Sequence, residues 1–244
     1  MKPKLGIYGD SWVNLSMFED HLPKEYCWTY NPILQNNYDI TISYETRGMD
    51  FYSSFDRFKN TNKKYDKVVF IATEAMRQSF EYDDYHYLIN NPLISELDLI
   101  NKFSTQLEKY NLDEQKKITN ILKAIRTHMI YVSKDKFSEA GQAKLMDEII
   151  KIRPDTILIP AFQNRFVQGM YLCQIHDIEI KSMGMGIEEY NKMHDLRHAH
   201  MTKENNEIFA NYIYDRLQGK DIKLSLDMFV KSKPEEKSKY FTPR

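Results

Sequence analysis

The sequence predicts an α/β protein built on a central, mostly parallel sheet. Three observations carry that expectation. Four short apolar stretches read as strands, at residues 4–8 (KLGIY), 39–44 (DITISY), 67–73 (KVVFIAT) and 156–162 (TILIPAF). The last two are apolar almost without interruption, as strands buried on both faces are. Longer segments with helical spacing separate the four, the signature of β-α-β units. Residues 179–183 (EIKSM) are a fifth candidate, giving a sheet of about five strands.

A chain of 244 residues can bury one sizeable core, and the economical reading is a single domain over residues 1–230. Between the third and fourth strands lies helical sequence from about residue 95 to 152, far longer than the roughly 10–12 residues a crossover needs. Ile118, Ile121, Leu122 and Ile125 fall on one helical face, and Leu145, Ile149 and Ile152 repeat the pattern. Together with the run before it, this predicts a helical insertion over about residues 81–152. Arg153-Pro154-Asp155 should stop its last helix, because proline disfavours helix in the residue before it and has no N–H to donate. The last fourteen residues, KSKPEEKSKYFTPR (231–244), are charged and nearly free of aliphatics, as in a mobile or partner-bound tail.

Composition excludes several classes of function. Lys and Arg number 34 against 35 Asp and Glu, so no strong field attracts nucleic acid or an anionic membrane. The N-terminal MKPKLGIYGDSW lacks a signal-peptide core, and no apolar run approaches the roughly 18 residues that span a bilayer. These features predict a soluble chain made for the cytoplasm. Cys27 and Cys173 are too few for a disulfide framework and lack metal-ligand spacing, so both are expected as reduced thiols.

Chemistry concentrates at the two ends of the chain. The first strand runs into Gly9-Asp10-Ser11, and the residues that follow can begin a helix. Ser11 therefore falls at the carboxyl end of a strand, where open α/β sheets bind ligands and helix N–H groups can face an anion. Gly9 permits the tight turn and Asp10 can bond nearby N–H groups to hold it. The plainer reading is a strand-to-helix turn made of common turn residues. A serine hydroxyl needs a base, and His194-Asp195-Leu196-Arg197-His198-Ala199-His200 precedes a helix that Thr202 should cap, with Glu204 in its first turn and Ile208, Tyr212 and Ile213 on its buried stripe. An Asp shortly before a His can orient the imidazole and stabilise its charged form. His194, His198, His200 and Asp195 also suit zinc, iron or manganese, but their spacing matches no recognised site, so no metal and no cofactor is expected.

Gly-Asp-Ser after the first strand, with Asp-x-x-His before the C-terminal helix, resembles the SGNH or GDSL hydrolases. The resemblance covers roughly residues 4–217. It implies a flavodoxin-like three-layer α/β/α fold and an esterase or deacetylase acting on a small-molecule or carbohydrate-linked ester. It assigns Ser11 as nucleophile and places the Ser11 and Gly48 N–H groups in the oxyanion hole, Gly48 standing in Thr46-Arg47-Gly48 after the second strand. Asp195 and His198 have the strict Asp-x-x-His spacing. His200-Met201-Thr202-x-Glu204 matches the element that follows in many members and suits the helix start better, so His200 is the favoured base and His198 the alternative. The third motif departs from the family: members carry Gly-x-Asn-Asp after the third strand, whereas this chain has Ala72-Thr73-Glu74-Ala75. An ionised Glu74 would repel an oxyanion, and one lost donor costs about a hundredfold or more. Thr73 offers a hydroxyl in its place, or Glu74 is protonated or turned away. The wording around His200 is most similar to phage-encoded and related bacterial members, which would place the protein in a virion if it is phage-encoded.

Two further features widen the reading. Glu81-Tyr82-Asp83-Asp84-Tyr85-His86-Tyr87 mixes aromatic faces with carboxylates, useful for stacking on sugars or for partner contacts, though an exposed acidic loop is the plainer alternative. The missing Asn, the insertion and the tail also fit a catalytically silent member used for binding or assembly, for example in a phage particle, with a protein partner held through the insertion or the tail.

Overall fold

A computed structural model of the chain describes residues 1–10, 12–13, 27–43, 50–74, 78–82, 85–89, 95–131, 138–193 and 201–231. The first half runs β1 (Lys4–Tyr8), α1 (Pro32–Asn37), β2 (Asp39–Ser43), α2 (Phe51–Thr61), β3 (Lys67–Ala72), β4 (Gln78–Tyr82) and β5 (Tyr85–Ile89). It continues through α3 (Glu96–Leu107), α4 (Leu112–Tyr131), α5 (Glu139–Ile152), β6 (Ile157–Pro160), α6 (Cys173–Met183), α7 (Ile187–Met193) and α8 (Lys203–Leu217).

Four of the strands make one all-parallel sheet in the order β2-β1-β3-β6. Ile7 lies level with Ile42 on one side and Val69 on the other, and Phe70 lies level with Leu158. The uninterrupted apolar run of β3 follows from its central position, since both of its faces are covered, whereas β6, equally continuous in sequence, ends the strand order and alternates between buried and half-buried positions. Leu5, Ile7, Val69, Ile71, Ile157 and Ile159 share one buried cluster with Trp28, Leu34 of α1, Ile175 of α6, and Phe209 and Ile213 of α8. Tyr8, Val68, Phe70 and Ala72 join a second cluster with Phe51, Phe55 and Phe58 of α2 and Met146 and Ile149 of α5. Helices thus sandwich the sheet. Phe70 anchors the second layer, stacked on Tyr8 at 5.9 Å and edge-on to Phe51 and Phe58 at 5.7 and 5.8 Å. Each such ring pair adds about 0.5–1.5 kcal/mol beyond the area it buries.

The expected stop of α5 is built as the sequence suggests, and it has a second role. The Arg153 guanidinium donates to the carbonyls of Asn62, Tyr65 and Asp66 at 2.6, 3.0 and 2.9 Å, bracing the turn that leads into β3. It also pairs with Asp155, holding that carboxyl below the usual carboxylate range.

The structure corrects two expectations. Among the described residues the main sheet has four strands, not about five: residues 179–183 form the last turns of α6. A five-residue window hid the period, whereas the buried positions Ile175, His176, Glu179 and Met183 recur at helical spacing. Gly184, at φ +59°, then ends the helix in the left-handed conformation that glycine adopts without penalty. The stretch expected to be a helical insertion opens instead with an antiparallel hairpin, β4 against β5, in which Phe80 lies opposite Tyr87 and Tyr82 opposite Tyr85. The aromatics of this run recur with period two, a strand signal that its mixture with carboxylates masks. Beyond the hairpin, α3 and α4 pack on each other through Leu99, Phe103 and Leu107 against Ile118, Leu122 and Met129. Among the described residues no helix is long and apolar enough to cross a membrane.

Candidate functional site

Strand order locates the candidate site. From β1 the chain steps outward to β2, then returns across β1 to β3, so the connections leave β1 and β3 in opposite directions. The carboxyl ends of two such strands part to leave a crevice, and ligands of open α/β sheets bind there. Gly9-Asp10 lies at the end of β1 and Thr73-Glu74 at the end of β3.

The turn after β1 is tightly constrained. Gly9 has φ +154°, and a Cβ there would stand 2.9 Å from Val13 Cγ1 and 3.1 Å from the Ile71 carbonyl oxygen. Only glycine lets this backbone lie so close to β3. Asp10 is fully buried; its carbonyl accepts from the Val13 N–H at 3.0 Å and its Oδ1 from the Trp12 N–H at 3.1 Å. Its Oδ2 accepts the Thr73 hydroxyl at 2.5 Å. Asp10 therefore holds the turn, in the role expected from sequence. Thr73 has one hydroxyl proton and directs it to Asp10, so its side chain braces the turn. Glu74 is partly buried.

Ser11, Gly48, Asp195, His198 and His200 lie outside the described residues, as does His194. Their immediate neighbours do not. The Trp28 indole N–H donates to the Trp12 carbonyl at 2.7 Å, and the Trp28 backbone N–H donates to Asn206 Oδ1 at 3.3 Å. Asn206 Nδ2 in turn donates to the Met201 carbonyl at 3.0 Å. One tryptophan and one asparagine thus join the residue after Ser11 to the residue after His200. Trp28 is held edge-on against Phe209 of α8 at 5.2 Å. No family model, curated protein or solved structure matches this chain.

The far side of the histidine stretch is also anchored. Thr202 caps α8 as expected, accepting from the Asn205 N–H at 3.4 Å, with Glu204 in the first turn. A residue expected in a strand, and found in α6, completes the cap. Glu179 of α6, fully buried, accepts the Thr202 hydroxyl at 2.8 Å and the Asn205 side-chain amide with Oε1. A carboxylate beside a helix N-terminus is well placed for the helix dipole. Asn205 also exchanges hydrogen bonds with the backbone of Val230, at 2.8 and 3.0 Å, which fastens the C-terminal segment to the same point. Ahead of the stretch, His176 Nε2 and Asn191 Oδ1 meet at 2.8 Å between α6 and α7. Among the described residues no three His, Cys, Asp or Glu side chains converge to hold a metal ion.

Burial pushes the Glu179 carboxyl above the ordinary value near 4.5, and the hydrogen bonds from Thr202 and Asn205 oppose only part of that shift. A carboxyl raised on folding contributes stability that is complete below its unfolded value and is lost as pH rises through the folded one. Glu179→Gln keeps an accepting oxygen and removes the ionisation. Melting curves from about pH 4 to pH 8 should therefore show the wild type losing stability relative to the variant as pH rises. A gap between them that stays constant across that range is the contrary result.

Proposed function

We propose that this chain is a serine ester hydrolase of the SGNH type, with a flavodoxin-like arrangement of its layers. The observation that carries the reading is the bridge from Trp12 through Trp28 and Asn206 to Met201, because it ties the backbone beside Ser11 to the backbone beside His200. It begins at Trp12, whose N–H is held by Asp10 in the turn after β1. A nucleophile and a base far apart in sequence need such a convergence before they can act together.

In this mechanism Ser11 attacks an acyl carbonyl while His200 takes the hydroxyl proton. His200 then returns that proton to the departing alkoxide, leaving an acyl-enzyme. Water, deprotonated by the same imidazole, releases the acid and restores Ser11. His198 is the alternative base. Asp195 orients the imidazole and stabilises its charged form, and the N–H groups of Ser11 and Gly48 hold the oxyanion. Thr73, engaged with Asp10, fixes the turn instead of donating to substrate. The substrate is a small-molecule or carbohydrate-linked ester, met in the cytoplasm, and no cofactor takes part.

A fluorophosphonate probe tests this directly. Near pH 8 the intact protein should gain one adduct, mapping to the peptide that holds Ser11, and should release acid from short acyl esters.

A second reading is favoured by one observation: the Thr73 hydroxyl is engaged, and Glu74 stands where the family places its oxyanion-stabilising Asn. The chain would then be a silent member that binds a protein partner through the α3–α4 excursion or the 231–244 tail, as in a phage particle. A protein that takes no adduct and turns over no ester leaves this reading standing.

A further inference from the structure

A run of buried side chains connects the turn after β1 to the loop after β6. Asp10, Thr73, Gln142 and Asn164 are at most 5 % exposed. Thr73 donates its hydroxyl to Asp10, and Gln142 Nε2 donates to the Thr73 carbonyl. Asn164 Nδ2 donates to Gln142 Oε1 at 2.6 Å and to the Glu139 carbonyl at 2.8 Å, while Asn164 Oδ1 accepts from the Phe166 N–H at 2.9 Å. From Asn164 to Gln142, Thr73 and Asp10 the donors run toward β1, and the second Asn164 bond branches to the start of α5. The far end is a loop whose base is closed by the Leu172 and Cys173 N–H groups on the carbonyls of Pro160 and Ala161. That loop leaves the carboxyl end of β6, on the same edge of the sheet as Asp10, and presents Phe166, 56 % exposed, to solvent.

We propose that Gln142 is a positioning residue that couples the β6 loop to the nucleophile turn, so that what the loop contacts is felt at Ser11. The inference rests on the esterase reading for its catalytic consequence and on geometry alone for its structural one. Its logic is that of a buried amide bonded at both of its ends. Gln142 supplies the proton received by the Thr73 carbonyl and accepts the proton offered by Asn164, and both neighbours are buried. Removing the amide takes a donor from the buried Thr73 carbonyl and one acceptor from Asn164, which keeps its bonds to Glu139 and Phe166, so the Thr73 end is the one driven to shift. Thr73 carries Asp10 with it, and Asp10 holds the Trp12 N–H on the other side of Ser11.

Gln142→Met keeps the length of the side chain and removes both bonds, whereas Gln142→Glu keeps the acceptor for Asn164 and removes the donor to Thr73. Ile149→Val, on the same helix but packed in the aromatic layer, controls for a general loosening of α5. Amide and indole resonances give the structural arm. The Trp12 amide and the Trp28 indole should shift in Gln142→Met and in Gln142→Glu but stay in place in Ile149→Val. The kinetic arm is the rate of fluorophosphonate labelling and the steady-state constants for a short ester. Gln142→Met should slow labelling and lower kcat by about 10- to 100-fold with KM little changed, as a displaced nucleophile does. Unmoved Trp12 and Trp28 signals in Gln142→Met overturn the coupling whether or not the protein is an esterase. Shifted signals in the Gln142 variants, with a wild type that takes no label, uphold the coupling while removing the esterase reading. Shifted signals with wild-type labelling and kcat show a passive buried amide and overturn the positioning role.

Discussion

Replacing His200 by Ala is expected to lower kcat/KM for a short acyl ester by about ten-thousandfold or more, while His198→Ala loses far less. The difference follows from the way α8 begins. Thr202 fixes the first turn, Glu179 fixes Thr202, and Asn206 holds the Met201 carbonyl, so the residue preceding Met201 enters from an anchored point. His198 is two residues further from that anchor. Groups that act as one unit are not additive, so Ser11→Ala combined with His200→Ala should be no slower than the worse single variant. Steady-state assays on the three single variants and the double variant decide the matter. Equal losses in the two histidine variants, or a greater loss in His198→Ala, transfer the role of base to His198.

Trp28→Ala should destabilise the protein by about 3–5 kcal/mol, as truncating a large buried aromatic does. Trp28 is almost fully buried, edge-on to Phe209, and donates from both its indole and its backbone. Trp28→Phe separates packing from bonding. It retains much of the ring contact and removes the indole N–H, leaving the buried Trp12 carbonyl short of a donor at a cost of about 1–3 kcal/mol. Urea unfolding should place Trp28→Phe between wild type and Trp28→Ala. Labelling by the fluorophosphonate should slow in Trp28→Phe beyond what its stability accounts for, since the lost bond is the one that reaches the residue beside Ser11. A Trp28→Phe protein that is less stable yet labels at the wild-type rate would confine Trp28 to the core.

The parts of this fold legible in the sequence are those whose signal is local. β3 declares itself because a strand covered on both faces must be apolar throughout, and the Thr202 cap with Tyr212 and Ile213 on the buried side announces α8. The β4–β5 hairpin escaped because its alternation is carried by tyrosines among acids, a composition that also suits an exposed loop. α6 escaped because its inward face includes a glutamate and a histidine, and no apolar stripe can be counted through Glu179. The braces of the candidate site were invisible for a different reason. Gln142 meets Thr73 across 69 residues and Asn206 meets Trp28 across 178, and nothing in a polar residue's own neighbourhood says that it will be buried against a distant carbonyl or amide. Gly9 and Asp10 could be read because the turn they make lies within their own tripeptide.

The α3–α4 pair has a consequence for how the molecule comes apart. Its interior is its own: Leu99, Phe103 and Leu107 face Ile118, Leu122 and Met129, with Tyr52 of α2 packed alongside. Among the described residues no strand of the parallel sheet belongs to that cluster, and on the face shared with Phe70 the cover for β3 is supplied by α2 and α5. Melting those two helices breaks no ladder of the sheet. The pair therefore behaves as a subglobal unit, able to unfold and reform while the layers beneath it persist.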